Sequence, residues 1–292
     1  MTDYSIWVLD YAAVNTFPQS VMLYGPQYHG IRNLPYAYAL LRGKGEVILI
    51  DTGYDHKEYG KYLADLYGVT NYHGPDEVLA ECGVAPADVT RVLITHAHFD
   101  HMGGLDLFPN ATFYIQKREL DQWAWALTLG PEFRFLVGAA DPADIMKAAR
   151  LAREGRMVVI DGDAEDILPG IDLHLAADTH TWGSMYVTIR NDGARNSQDA
   201  WVFAGDNIYT YDNLTGLDKN DPHLVPIGLA VGSQTNLLLC SADMLKQTGG
   251  ETKRVIPIHE DRLKETFPSR RTKADLHVVE LALADGETSK VR

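Results

Sequence analysis

The seven residues Thr95-His96-Ala97-His98-Phe99-Asp100-His101 constrain this chain more than any other stretch. Three imidazoles and a carboxylate fall within six consecutive positions, directly after the apolar run Val92-Leu93-Ile94. Histidine and aspartate are poor core residues, and so short a span cannot give all of them buried partners. They are good ligands for a borderline divalent cation such as zinc. With Val92–Ile94 as a buried strand and the chain leaving the sheet at Thr95, His96 and His98 point the same way. Asp100 and His101 then come round on the turn that Gly103-Gly104 permits. That geometry suits two metals better than one.

The rest of the chain narrows the partners. With 292 residues, 46% hydrophobic and 23% charged, it is long enough to bury a sizeable core. A formal net charge of −14 argues against nucleic acid or an anionic membrane as a partner, because both are held by clustered Lys and Arg. The one compact basic group, Arg270, Arg271 and Lys273, reads as a solvated turn. No basic leader with an apolar core opens the sequence, and no run reaches the ~18 apolar residues of a membrane span. Cys82 and Cys240 are too few and too far apart for a disulfide framework. These features predict free thiols in a reducing cytoplasm.

Taken in order, Ser5–Leu9 and Val21–Tyr24 read as short strands around a Pro18 turn, followed by a loop over Tyr24–Pro35. Tyr36–Arg42 and Val47–Ile50 form a hairpin around Gly43-Lys44-Gly45. Asp51-Thr52-Gly53 at its end is either a turn former or the partner of a metal-bound histidine. Lys57–Tyr67 and Pro75–Cys82 are helical, Thr112–Ile115 is a strand, and Lys117–Leu127 is a helix whose Trp123 and Trp125 serve packing. Asp141-Pro142 opens a helix through Arg153 as N-cap and first-turn proline. Met157–Ile160, Ile171–Ala176, Met185–Arg190 and Trp201–Ala204 are strands, Asn236–Thr248 a helix, and Arg254–Ile258 the final strand. Pro257 demotes that last run to an edge or a bulge. Two successive halves of strands and helices predict two sheets packed face to face with helices outside. No Ser/Gly-rich linker divides them, so residues 1–292 read as one domain.

Three further ligand-type residues stand where strands should end: His180 after Asp178-Thr179, Asp206 after Trp201–Gly205, and His259 after Val255–Ile258. Each alone is an ordinary histidine or turn aspartate; four strand ends carrying ligand chemistry together indicate one rim of a layered fold. The pattern His-x-His-x-Asp-His with downstream His, Asp and His resembles the metallo-β-lactamase superfamily from about Tyr36 to His259. The resemblance implies an αβ/βα sandwich of two mixed β-sheets flanked by helices. It assigns His96, His98 and His180 to one zinc and Asp100, His101 and His259 to another, with Asp206 bridging. Two zinc ions per chain are implied, with manganese, iron or cobalt as alternatives.

Within that superfamily the chain is most similar to the N-acyl-homoserine lactonase branch, quorum-quenching enzymes included. Ala204-Gly205-Asp206-Asn207-Ile208-Tyr209 places a tyrosine three residues after the bridging aspartate, as that branch does, and Pro35-Tyr36-Ala37-Tyr38 ahead of Leu49–Gly53 fits its N-terminal half. Where those lactonases carry Thr-Pro-Gly-His-Thr-Pro-Gly-His, this chain has Ala177-Asp178-Thr179-His180-Thr181-Trp182-Gly183-Ser184, a departure that bears on substrate rather than chemistry. The implied reaction is opening of a small-molecule lactone by hydroxide held between the metals, with Tyr209 donating to the oxyanion and Asp100 shuttling a proton. Tyr28, His29 and Trp182 are the expected pocket walls, since loops carry specificity. His56, His73, His174, His223 and His277 fall outside the pattern. Hydrolysis of a cyclic amide or thioester is the alternative on the same site, and a catalytically silent binding module the alternative of another class. A nuclease conflicts with the charge, a secreted β-lactamase with the N-terminus, and a flavin-linked iron protein with His98, where a glutamate is usual. A homodimer is compatible with all of these.

Overall fold

The computed structural model describes residues 2–292. The N-terminal half builds β1 (Tyr4–Pro18), β2 (Ile31–Gly43), β3 (Glu46–Ile50), β4 (Arg91–Leu93), β5 (Thr112–Gln116) and β6 (Met157–Ile160). The C-terminal half adds β7 (Ala164–Leu168), β8 (Ile171–Ala177), β9 (Gly183–Arg190), β10 (Ala200–Phe203) and β11 (Val255–Ile256), then β12 (Ser269–Arg271) and β13 (His277–Ala282). An eight-stranded sheet has the order β12-β13-β1-β2-β3-β4-β5-β6, and a five-stranded sheet the order β11-β10-β9-β8-β7. Strands β3 to β6 run parallel to one another, as do β10 and β11; the remaining pairs are antiparallel.

Alternation along the strands makes the layers. Trp7 and Leu9 of β1 enter the core beneath the helices that cover the large sheet, while Ile6 and Val8 enter the core between the sheets, facing Leu173, Met185 and Val187. Four helices contribute to the first core: α2 (Glu58–Tyr67) with Leu63, α3 (Pro75–Ala80) with Leu79, α5 (Lys117–Ala126) with Trp123, and α6 (Pro142–Arg153) with Ile145. Two one-turn helices, α1 (Gln19–Met22) and α4 (Phe99–Met102), come earlier in the chain than the helices they precede. After α7 (Asp212–Thr215), helix α8 (Gln234–Gln247) covers the outer face of the small sheet with Cys240 and Met244. Asp141 caps α6 by accepting from the Ala143 N–H at 2.8 Å, as its sequence position predicts. This is the αβ/βα sandwich of the metallo-β-lactamase fold.

Several elements differ from the sequence expectations. The predicted Ser5–Leu9 strand is the start of a fifteen-residue strand, and Val21–Tyr24 is not a strand but overlaps the one-turn helix α1. Irregularities between Asp10 and Ala12 and between Val14 and Phe17 break the period-two pattern that would have revealed the strand's length. The loop expected over Tyr24–Pro35 gives way to strand at Ile31. Strand β7 was not foreseen, and Arg254–Ile258 is not the last strand: β11 is a two-residue edge strand, and β12 and β13 follow it, β13 pairing with β1. Arg270 and Arg271 therefore lie on an edge strand instead of a turn, with Arg270 bonded to Glu81 at 2.7 Å. Gly103 and Gly104 have ordinary negative φ values of −68° and −93°. Helix α4 supplies the turn, and the glycines are required by close approach: a Cβ on Gly104 would sit 2.6 Å from the Thr52 carbonyl oxygen, and one on Gly103 2.4 Å from that of Phe99.

Candidate metal centre

The C-terminal ends of β4, β8, β10 and β11 meet at one rim, and they bring together all seven ligand-type residues. His96 and His98 follow β4 in extended backbone, and helix α4 turns Asp100 and His101 back beneath them. His180 follows β8, Asp206 sits in a single 3-10 turn after β10, and His259 follows β11. Their ligand atoms fall into two groups: His96, His98, His180 and Asp206, and Asp100, His101 and His259. In the first, His98 Nδ1 is 3.1 Å from His96 Nε2 and 3.0 Å from His180 Nε2. In the second, His101 Nε2 is 3.4 Å from both Asp100 Oδ2 and His259 Nε2. Asp206 lies between: its Oδ2 is 3.4 Å from His180 Nε2, and its Oδ1 is 3.2 Å from the Nε2 atoms of both His101 and His259.

Hydrogen bonds on the far side of each ring decide which nitrogen faces the centre. His180 Nδ1 meets the Leu229 carbonyl at 2.9 Å, and His259 Nδ1 meets that of Pro35 at 2.7 Å. His101 Nδ1 meets Asp51 Oδ2 at 2.8 Å. Each partner only accepts, so each Nδ1 carries the proton and each Nε2 turns a lone pair inward. His96 is fixed one step further back: the Thr95 hydroxyl donates to Asp51 and so accepts from His96 Nδ1 at 3.0 Å. The inner surface is thus an array of buried nitrogen and carboxylate lone pairs at about 3 to 3.5 Å from one another, and Asp206 Oδ1, 3.2 Å from the Nε2 atoms of His101 and His259, makes no well-directed hydrogen bond to either. Acceptors converging on acceptors are resolved by cations, and the nitrogen and carboxylate donor set fits zinc and its first-row neighbours.

The protons respond to the same field. Burial, reinforced by neighbouring imidazoles, pushes His96 well below the usual histidine value and His98 down to about 3; burial also lowers His180. Burial would lower His101 and His259 as well, but Asp206 and Asp100 reverse the sign and hold both above the usual value, so that without a cation a second proton is favoured on each Nε2, in the place a cation would take. Burial would raise Asp206, yet His101 and His259 hold its carboxyl well below the usual range.

Asp51 resolves the choice left by its sequence context, because it is both things: a residue in left-handed backbone at φ 67° and the acceptor that orients His101 while binding the Thr95 N–H at 2.7 Å. Loss of such a partner typically weakens a metal site about 10- to 100-fold. Asp51→Ala is accordingly expected to lower affinity at the Asp100, His101 and His259 group by roughly that factor, read by competition with a chelating dye.

Tyr209 stands beside both groups, its ring 5.5 Å from that of His259 and 5.9 Å from that of His180. Burial, with Asp206 and Asp100 close by, pushes its phenol well above the usual value, so it remains a donor. Tyr28, His29 and Trp182 are not among the walls of the cavity over the clusters. Tyr28 is buried in the helix-side core, the His29 side chain is exposed, and Trp182 packs on Trp123, which in turn contacts His98. Trp182 is therefore one ring removed from a ligand. The walls include Phe17, Leu34, Tyr36, Tyr67 and Phe99, of which Phe17 and Leu34 lie on parts of β1 and β2 read as turn and loop.

Glu119 of α5 carries no signal in the sequence, where Lys117–Leu120 reads as an ordinary charged helical start. It is fully buried and accepts from the Ala97 N–H at 2.8 Å, Trp123 Nε1 at 2.7 Å, the Thr181 hydroxyl at 2.7 Å and the Gly183 N–H at 2.8 Å. One carboxylate thereby ties the segment between His96 and His98 to the segment after His180.

Comparison with known proteins places this architecture. The Metallo-beta-lactamase superfamily profile matches residues 32–259, and the chain belongs to that superfamily. Metallo-beta-lactamase domain-containing protein 1 of Rattus norvegicus is 46% identical over 56 residues, 19% of this chain and 22% of that protein. N-acyl homoserine lactonase AttM of Rhizobium radiobacter is 29% identical over 96 residues, 30% of this chain and 36% of AttM. The chain thus aligns with about a fifth to a third of the length of these relatives. Among solved structures, the hydrolase AbOPH of the beta lactamase superfamily aligns with a TM-score of 0.66 at 19% identity, covering 97% of this chain and 96% of that one. AidC, a dizinc quorum-quenching lactonase, aligns with a TM-score of 0.63 at 17% identity, covering 98% and 97%. A quorum-quenching N-acyl homoserine lactone lactonase gives 0.62 at 20%, covering 94% and 99%. At such identities the likeness is one of fold. Among the described residues, no helix is long and apolar enough to cross a membrane.

Proposed function

We propose that this chain is a dinuclear metallohydrolase that opens a lactone ring. The observation that carries the reading is Asp206, whose two carboxylate oxygens face two separate groups of ligand-type residues beneath a cavity walled mostly by aromatic rings. In this reading His96, His98 and His180 would hold one cation and Asp100, His101 and His259 the other, with Asp206 available to both, and zinc is the metal the donor set favours. Such a pair, when bound, supplies Lewis acidity and lowers the pKa of water from ~15.7 toward ~7.

The chain's own groups do the rest. Four rings have their tautomers fixed from behind, so the donor set is organised before any ligand arrives. Tyr209 keeps its proton and donates a hydrogen bond to the carbonyl oxygen as negative charge gathers there. Asp100 turns Oδ2 toward His101 and His259, which leaves its other oxygen to carry a proton from the attacking water to the departing ring oxygen. The water oxygen bonds to the acyl carbon, the acyl–oxygen bond of the ring breaks, and the ring oxygen leaves protonated, giving a hydroxy acid.

The test is metal analysis of the purified chain followed by a panel of lactones, lactams and thioesters. About two equivalents of zinc and turnover of lactones support the reading; turnover confined to cyclic amides or thioesters replaces the substrate, and a folded chain that takes up no metal replaces the enzyme with a binding module. Within that assay, Tyr209→Phe is expected to keep two metals and lose roughly 10²- to 10³-fold in kcat, the usual cost of an oxyanion donor. Unchanged turnover would remove Tyr209 from the chemistry.

A further inference from the structure

The cavity over the clusters has a volume of about 60 Å³. At roughly 10–15 Å³ for each water-sized group, that admits about four to six non-hydrogen atoms, enough for a lactone ring with its carbonyl, so any ring fused to it lies against the rings at the mouth. Its walls are dominated by rings: Phe17, Tyr36, Tyr67, Phe99 and Tyr209. Apart from the clustered His and Asp, no charged side chain among the described residues lines it, so a substrate carboxylate or phosphate held away from the clusters would be buried unpaired.

The walls divide into fixed and exposed ones. Tyr36, Phe99 and Tyr209 are buried: Tyr36 packs 5.4 Å from the His259 ring and 6.3 Å from that of Phe99, and Tyr209 packs on His259 and His180. Phe17 and Tyr67 are only partly covered. Phe17, carried past the second irregularity of β1, stacks on Tyr209 at 6.2 Å and 28°; Tyr67, at the end of α2, stacks on Phe99 at 6.1 Å and 21°. Each mouth ring leans on a fixed ring, so flat aromatic faces border the opening.

We propose that this aromatic mouth selects a compact, uncharged lactone with a flat aromatic body over one with a long acyl chain, and that Phe17 is the residue setting the preference. The inference rests on the lactone reading above. An aromatic ring laid against such faces gains both area and stacking, whereas most of a long flexible chain lies beyond the aromatic walls.

The experiment compares the metal-loaded full chain on dihydrocoumarin, γ-butyrolactone, N-dodecanoyl-homoserine lactone and a carboxyl-substituted γ-butyrolactone. Dihydrocoumarin is expected to have the highest kcat/KM, at least about tenfold above the long-chain lactone. Phe17→Ala, a substitution at a partly buried position, is expected to raise the dihydrocoumarin KM about tenfold, leave kcat within about twofold, and keep both metals. Without turnover, calorimetric binding of the ring-opened product, 3-(2-hydroxyphenyl)propanoate, should weaken by a similar factor in the variant. Equal or faster opening of N-dodecanoyl-homoserine lactone, or unchanged KM and product binding in Phe17→Ala, overturns this inference alone. No turnover of any lactone with two metals bound overturns the proposed function and this inference with it.

Discussion

Asp206→Asn is expected to take the metal content of the purified chain from about two equivalents to one or fewer, and to lower kcat/KM roughly 10³-fold or more. The substitution keeps size and burial and changes only what the two oxygens can do. Oδ1 and Oδ2 each face a different group, so an amide leaves one group facing an NH₂ that cannot ligate and removes the negative charge both groups share. The paired alanine variants separate this shared role from a local one. His180→Ala should weaken only the His96 and His98 side, and His259→Ala only the Asp100 and His101 side, because each touches one group. Metal content by mass spectrometry, read beside lactone turnover, checks the pattern. An Asp206→Asn chain that retains both metals and its rate would show that the two groups act independently.

The clustering of ligand-type side chains was legible because metal binding draws on a small alphabet, and that alphabet stood at strand ends where folding alone has no use for it. The place of Tyr209 beside the clusters was legible from its offset after Asp206, although nothing in the residues themselves separates a donor phenol from a packed ring. What orients the ligands was legible only in part. Asp51 stood beside a glycine and could be read two ways, but the carbonyls of Pro35 and Leu229 that fix His259 and His180 belong to the backbone and have no residue signature. The cavity walls were hidden for a different reason. Phe17 lies beyond two irregularities that erase strand periodicity, and Tyr67 ends an amphipathic helix where an exposed aromatic carries no mark of its neighbours. The same loss of pattern made β1 look short and concealed its partner β13. Within β13 a charged residue interrupts the apolar run, and Glu280 turns out to accept from Trp7 Nε1 at 3.1 Å.

Glu119→Ala tests how far the centre depends on a group that touches no ligand directly. The four donors on Glu119 match what an ionised carboxylate can accept, and all are buried. Each donor stranded by truncation costs about 1–3 kcal/mol, partly relieved where water enters, so a loss on the order of 4 kcal/mol or more is expected in chemical denaturation of the metal-free chain. Glu119→Gln keeps the shape but points an NH₂ at donors on one side, and should fall between alanine and wild type. A purely structural role would lower stability and leave the metals alone. Positioning predicts more: Glu119 holds Ala97, between His96 and His98, and Thr181 and Gly183, just after His180, so affinity should fall at that group and stay near wild type at Asp100, His101 and His259. A stepwise metal titration of Glu119→Gln under conditions where it is fully folded reads the difference. Equal weakening of both steps, or of neither, would leave Glu119 a packing residue and return the organisation of the first group to its own backbone.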